Sequence, residues 1–265
     1  MWELVSNSIY AGVLISIAIG IIGSLIVINK ATSITGSIAH GSFGGIGIGI
    51  FLGINILLST TFFTILIALI LAFVTLKYNH RKDSLIGVIW ALGMSIGIIF
   101  LNLAPGYNAD ALSYLFGNIL LIQNSDLYVM ALVDAILVVS IIFLYNRFLA
   151  MSYDCEFLKV KGINVSLLYT YFLVLTSLVV VMSVRAIGII LILALFTIPS
   201  LIAEKFTNRL YKMMILSAIL AFIFINSGIF ISYYFDLSPT PIIVIILVLV
   251  LFLSLLKETS VFSNR

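Results

Sequence analysis

An all-α protein that crosses a membrane many times is the fold class this sequence predicts. Of its 265 residues, 63% are hydrophobic and only 9% charged, whereas soluble domains carry roughly 25% charged residues. Apolar runs close to the ~20 residues that span a hydrocarbon core recur from end to end. Lysine and arginine gather in every second gap between those runs, the asymmetry that orients membrane helices.

The first span is expected at 9–28. Only Glu3 precedes it as a charge and the first basic residue is Lys30, so it lacks the positive start of a cleaved leader. It reads as a retained span with its N-terminus outside. Further spans are expected at 34–54, 57–76, 84–104 and 127–146. ADALSYLFGNILLI, residues 109–122, is too short to cross and reads as a re-entrant or surface helix containing Ser113 and Asn118. Runs at 166–184 and 186–203 follow, joined so tightly at Arg185 that they read either as two spans or as one broken, re-entering element. Spans at 213–235 and 240–256 close the chain, the last introduced by the turn in DLSPTP.

Lys30, then Lys77, Arg81 and Lys82, then Arg147, Lys159 and Lys161, then Lys205, Arg209 and Lys212, and finally Lys257 and Arg265 fall on one side of this arrangement. INILLST, NLAPGYNAD and FDLSPTP, without a basic residue, fall on the other. Nine crossings, N-terminus outside and C-terminus inside, satisfy every basic cluster; Arg185 alone dissents. A broken element at 166–203 gives eight. Residues 1–265 are thus expected to form one transmembrane domain in a cytoplasmic membrane, surrounded by lipid.

Two stretches on the basic side exceed simple turns. Residues 146–164 carry charges of both signs. Residues 200–214 place Ile202, Phe206, Leu210 and Met213 at helical spacing, with Glu204, Lys205, Arg209 and Lys212 on other faces. That pattern predicts a short amphipathic helix, and periodicity leaves open whether it anchors to the membrane surface or docks a cytosolic partner.

Several classes are disfavoured. A net charge of +3 without a clustered basic face gives no nucleic-acid footprint. Cys155 is the single cysteine and reads as a loop thiol. GxxxxGK[ST] and HExxH are missing, and two histidines leave little scope for a catalytic constellation, so neither an enzyme nor a cofactor is expected. His80, in KYNHRKDS, reads as solvated.

The unusual stretch is GSIAHGSFGGIGIGIFLG, residues 36–53. Gly41, Gly45, Gly49 and Gly53 recur every fourth residue and form a ridge that lets membrane helices approach closely. His40 shares its own face with Gly36, Ser37, Gly44 and Gly47. Those small residues are expected to leave space beside the imidazole for water or a permeating solute, although a packed histidine bonded to a neighbouring helix fits equally well. Asp134, in the fifth span, reads as solvated near the outer interface, or else as a functional buried acid.

With these segments go DSLIGVIWALGMSIGIIFL, LSYLFGNIL, EFLKVKGIN, VRAIGIILILALFTIPSLIA and FDLSPTP. In order and spacing, over about residues 9–257, the chain resembles the membrane permease of ABC importers for zinc, manganese or iron(II). More distantly it is similar to cobalamin and siderophore permeases. The resemblance implies a cobalamin-permease-like fold, a homodimer around a central pathway, separate cytosolic ATP-binding subunits and an extracytoplasmic metal-binding protein. It also implies that residues 200–213 couple to the ATPase, with Ala203, Glu204, Lys205, Phe206 and Arg209 there. Relatives of this kind commonly carry GDxxxH at the start of the second span. His40 matches the histidine, but Gly36 stands where the aspartate would be. The resemblance makes His40 a metal contact in the translocation pathway, lined further by Gly36, Ser37, Gly44 and Gly47. Rival readings are a same-fold permease for a chelated metal or other solute, an ATP-independent channel or secondary transporter, and a membrane anchor without transport activity.

Overall fold

The structure is a computed structural model that describes residues 2–105, 115–117, 119 and 122–262. Every regular element among them is helical. A lipid core offers no water to unpaired backbone groups, so only helices or a closed barrel can cross it, and the alternation a barrel strand needs occurs nowhere here.

The first span comprises α1 (Trp2–Ala18), a π-helical turn (Ile19–Gly23) and α2 (Ser24–Ile28). The second is α3 (Thr32–Leu52), which ends where Gly53 turns left-handed. The third, α4 (Ile56–Lys77), begins under the Asn55 side chain, which accepts a hydrogen bond from the Leu58 N–H at 3.2 Å. The fourth is α5 (Lys82–Leu103). The fifth, α6 (Asn124–Tyr153), starts with a reciprocal cap between Gln123 and Asp126. Then come α7 (Cys155–Val160), capped by Asp154, and α8 (Val165–Phe206), capped by Asn164. The chain closes with α9 (Leu210–Phe235) and α10 (Pro239–Phe262), the latter opened by a proline in its first turn, where a missing N–H costs nothing.

Eight of these helical segments are long and apolar enough to cross a membrane. The sixth, α8, is 42 residues long and non-helical at Gly188, with φ 74° and ψ 162°. Its path follows from its neighbours. Asn164 and Leu167 share a cavity wall with Leu144 and Arg147 of α6, and the Tyr211 N–H, just past the end of α8, donates to the Tyr145 hydroxyl at 3.2 Å. Between those points, Arg185 meets Asp126 at the far end of α6, about 28 Å from Tyr145 along the helix. The element therefore runs away from the basic face and folds back at Gly188 to return to it. Its arms correspond to the expected runs at 166–184 and 186–203, and the broken, re-entering alternative describes them as one element.

Two sequence expectations change. The surface helix expected over 200–213 does not form as a unit. Residues 200–206 continue α8, Thr207–Arg209 make a turn, and Leu210 starts α9. Of the four apolar residues that suggested the helix, Ile202, Leu210 and Met213 are buried in the bundle rather than laid on its surface, and Phe206 is exposed. Cys155 begins the helix α7 instead of lying in a loop, although its thiol is exposed. The short helix expected over 109–122 lies mostly outside the described residues; inside them, Gly117 has φ 70° and its backbone packs on Gly188.

Gly188 occupies a conformation that L side chains rarely adopt. A Cβ there would lie 2.6 Å from the Leu115 carbonyl oxygen. Gly188→Ala is expected to cost about 2 kcal/mol or more, read as a lower unfolding midpoint in detergent. Gly87→Ala, whose Cβ would meet nothing within 4 Å, is expected to change stability by less than about 0.5 kcal/mol.

Candidate functional site

The second span is where glycine brings backbones together. Glycine along one ridge of α3 faces α4: a Cβ on Gly45 would lie 2.6 Å from Thr60 Cα, and one on Gly49 3.2 Å from Ile56 Cα. Ser59 donates across this contact to the Gly45 carbonyl at 2.7 Å. A second ridge faces α5, where Gly44 and Gly47 meet the backbone of Gly93 and Gly97. A Cβ on Gly93 would lie 2.7 Å from Gly41 Cα. Two small-xxx-small surfaces on one helix thus dock two neighbours at backbone distance.

This packing changes what the sequence suggested around His40. Gly44 and Gly47 do not leave open volume; α5 and Phe63 fill it. Gly36 faces the Leu193 side chain on the returning arm of α8, 3.1 Å from where a Cβ would be. Ser37 is fully buried and donates to the Ile86 carbonyl at 3.1 Å. Within the single chain these four residues are helix-contact surface.

His40 differs from them. It is half-buried, and its ring stacks on Trp90 of α5, with centroids 4.4 Å apart and planes 20° apart. The Trp90 indole N–H is directed to the Met94 sulfur at 3.3 Å and leaves the imidazole without a hydrogen bond from that side. Nδ1 of His40 is buried and has no hydrogen-bond partner among the described residues. The alternative of a packed histidine bonded to a neighbouring helix is not what this nitrogen shows. Beside it, α5 carries Ser84, Gly87, Ala91, Ser95 and Asn102 on one exposed face. Among the described residues, no three His, Cys, Asp or Glu side chains gather as a metal cluster.

Asp134 is 5% exposed and both of its carboxyl oxygens lack a partner among the described residues. Solvation at the outer interface is therefore not its environment. An unpaired acid at this depth is costly.

At the end of the bundle opposite the basic face, Arg185 donates to Asp126 at 2.6 Å. In sequence Arg185 is the dissenting cation and its partner is not evident; the one local signal is the acid in the first turn of the fifth span. The pair lines a cavity of about 460 Å³ with Asn55, Thr60, Ser125 and Val184. The Arg185 side chain is 49% exposed while that of Asp126 is nearly buried. At the basic face, Ala203 is buried in the bundle, whereas Glu204, Lys205, Phe206 and Arg209 are exposed around the turn between α8 and α9. Arg209 donates to the Tyr211 hydroxyl at 3.2 Å.

A glycine-welded helical bundle with, among the described residues, eight segments long and apolar enough to cross a membrane, one of them folded back on itself, is a multi-pass membrane protein. Comparison with known proteins gives its family: the ABC 3 transport family matches residues 1–258, and the chain belongs to it. It is 35% identical over 251 residues to a Chlamydia trachomatis protein described as "Probable metal transport system membrane protein", covering 92% of this chain and 86% of that one. It is 29% identical to the manganese transport system membrane protein MntC of Listeria monocytogenes, over 89% of this chain and 84% of the relative. It is 28% identical to the high-affinity zinc uptake system membrane protein ZnuB of Buchnera aphidicola, over 97% and 99%. Among solved structures it is similar to PsaBC from Streptococcus pneumoniae in complex with Fab, with TM-score 0.85 and 25% identity, covering 95% of this chain and 90% of that one.

The Arg185–Asp126 pair ties the outward arm of α8 to the start of α6. Arg185→Gln and Asp126→Asn are each expected to lower stability, and the double variant to be no worse than the harsher single. A double-mutant cycle by thermal unfolding is expected to return a coupling of about 0.5–1 kcal/mol, since one partner is half exposed.

Proposed function

We propose that this permease imports a divalent transition metal, zinc or manganese with iron(II) within range, across a cytoplasmic membrane by alternating access. The observation that carries the reading is His40: an imidazole held by an aromatic stack, with a buried ring nitrogen that has no hydrogen-bond partner among the described residues. Neutral imidazole suits zinc and its neighbours. The metal relatives supply the class of cargo; their names extend to this chain as part of the proposal.

The working unit is a homodimer. The exposed face of α5 carries Ser84, Ser95 and Asn102 beside Trp90 and His40, and hydroxyl and amide groups gain more against protein or water than against lipid tails. Two copies meeting there put a His40 from each beside a shared path. With Gly36 in place of a carboxylate, each copy offers one neutral ligand, which suits passage rather than tight retention. Gly36, Ser37, Gly44 and Gly47 then serve the path by fixing the wall that carries His40.

The basic face is cytoplasmic by the positive-inside rule, which places the N-terminus outside and the C-terminus inside. ATP is hydrolysed by separate cytosolic subunits, and an extracytoplasmic binding protein delivers the ion. The ATPase grips the turn between α8 and α9 through Glu204, Lys205, Phe206 and Arg209, with Ala203 locking that turn to the bundle. Because α8 folds back, movement of this turn is carried along one rigid arm to Gly188 and Arg185.

Uptake of labelled zinc and manganese by cells expressing the permease with its native partners tests the cargo. His40→Ala is expected to lower uptake of one ion at least tenfold while dimer assembly is unchanged. Equal uptake by the folded variant would remove His40 from the path. Uptake of neither free ion by the assembled wild-type complex would favour a chelated metal instead. Glu204→Ala combined with Arg209→Ala is expected to reduce co-purification of the ATPase several-fold. Full retention would move the coupling surface to residues 146–164.

A further inference from the structure

We propose that a groove between α6 and the start of α8 is a binding site for an anionic phospholipid. A cavity of about 450 Å³ lies there, lined by Leu144, Arg147, Gly162, Asn164, Leu167 and Tyr171. Its walls change character at one level. Along α6, residues 127–144 are apolar except Tyr128, Asp134 and Ser140, and Tyr145, Asn146 and Arg147 follow directly. On the other wall, Lys159, Lys161, Gly162 and Asn164 precede an apolar run that begins at Val165. About 18 apolar residues of helix cover ~27 Å, close to the hydrocarbon thickness, so both walls reach the headgroup region together.

The lower half of the groove is apolar and open to the side. Leu167, on its wall, is 71% exposed, and Ile163 and Leu168 line the same cavity. Tyr171 closes the deep end, its hydroxyl 2.6 Å from the Ser140 hydroxyl. The upper half holds Arg147, which is exposed and forms no ion pair or hydrogen bond among the described residues. The nearest acid in sequence, Asp154, is committed to capping α7 through the Phe157 N–H at 3.0 Å. An unpaired guanidinium above a lateral apolar slot matches a phosphate with an acyl chain below it. A protein partner seated on the basic face would meet the helix ends instead, and would have no use for the apolar depth that opens sideways. The proposal is independent of the transported cargo and requires only that Arg147 lie at a membrane interface.

The test uses the purified permease with its native partner subunits in mild detergent, with phosphatidylglycerol, phosphatidylcholine or inorganic phosphate added. Phosphatidylglycerol is expected to be retained in native mass spectra and to raise the unfolding midpoint. Phosphatidylcholine is expected to be retained less, and inorganic phosphate to have no effect. Arg147→Gln is expected to weaken phosphatidylglycerol retention about fivefold, and Arg147→Lys to preserve most of it. Should Arg147→Gln not fold, Leu167→Trp provides an independent readout, because brominated phosphatidylglycerol is expected to quench its fluorescence at lower concentration than the brominated choline lipid. Equal preference for the two lipids would overturn the proposal. So would unchanged lipid retention in Arg147→Gln, whether or not that variant also lost its ATPase.

Discussion

In hydrocarbon, helices gain nothing from the hydrophobic effect when they touch, so the approach of α3 to its neighbours through glycine must hold the first half of the bundle together by close packing and the hydrogen bonds it permits. Gly45 and Gly49 admit the backbone of α4, and Gly44 and Gly47 admit that of α5. Ser59 and Ser37 add hydrogen bonds across each contact, to the carbonyls of Gly45 and Ile86. Once α3 is clamped on both sides, its one large polar side chain has little freedom left. His40 emerges against Trp90 because the glycine faces are already occupied. The histidine's position is a result of the packing, and its function inherits that rigidity.

The other half of the bundle depends on a similar economy of space around the first span. A Cβ on Gly20 would lie 2.6 Å from the Met214 carbonyl oxygen, and one on Gly23 2.7 Å from the Ser200 hydroxyl. The π-helical turn at Ile19–Gly23 falls where those two glycines meet α9 and the returning arm of α8. Hydrogen bonds that span one residue more than in an α-helix widen the chain locally, and they do so where two helices bearing on the α8–α9 turn cross the first span. Ser200 and Ser217, with hydroxyl oxygens 2.8 Å apart, link those same two helices. The parts of the molecule nearest the proposed ATPase surface are thereby tied to the first span as well as to α3.

The helical fold and the approximate place of each span were legible because hydrocarbon leaves a compositional mark: a run of apolar residues bounded by Lys77, Arg147 or Asn55 can be read without knowing its neighbours. The glycine ridge was legible for the same reason, being a one-dimensional period. What could not be read was which face met which partner. Gly44 and Gly47 looked like empty space because Gly93 and Gly97, the surfaces that fill it, belong to another helix. Residues 200–213 carried helical periodicity, but burial of Ile202, Leu210 and Met213 came from two different helices meeting at a turn. Arg185 was anomalous in sequence and became ordinary only once folding brought Asp126 to it. The stack of His40 on Trp90 had no local signal, since the residues lie on different spans 50 positions apart.

The contact between Gly117 and Gly188 has a consequence for how such a chain can change over time. Both residues sit at positive φ, and the backbone of each occupies the place where a side chain on the other would go. A substitution at either position meets main chain, which no rotamer change can move aside. Replacing both does not relieve the clash but doubles it, so there is no compensating pair and no neutral path through one intermediate. The segment around Gly117 and the bend of α8 therefore form a fixed point in sequence space, around which the lipid-facing helices are free to drift.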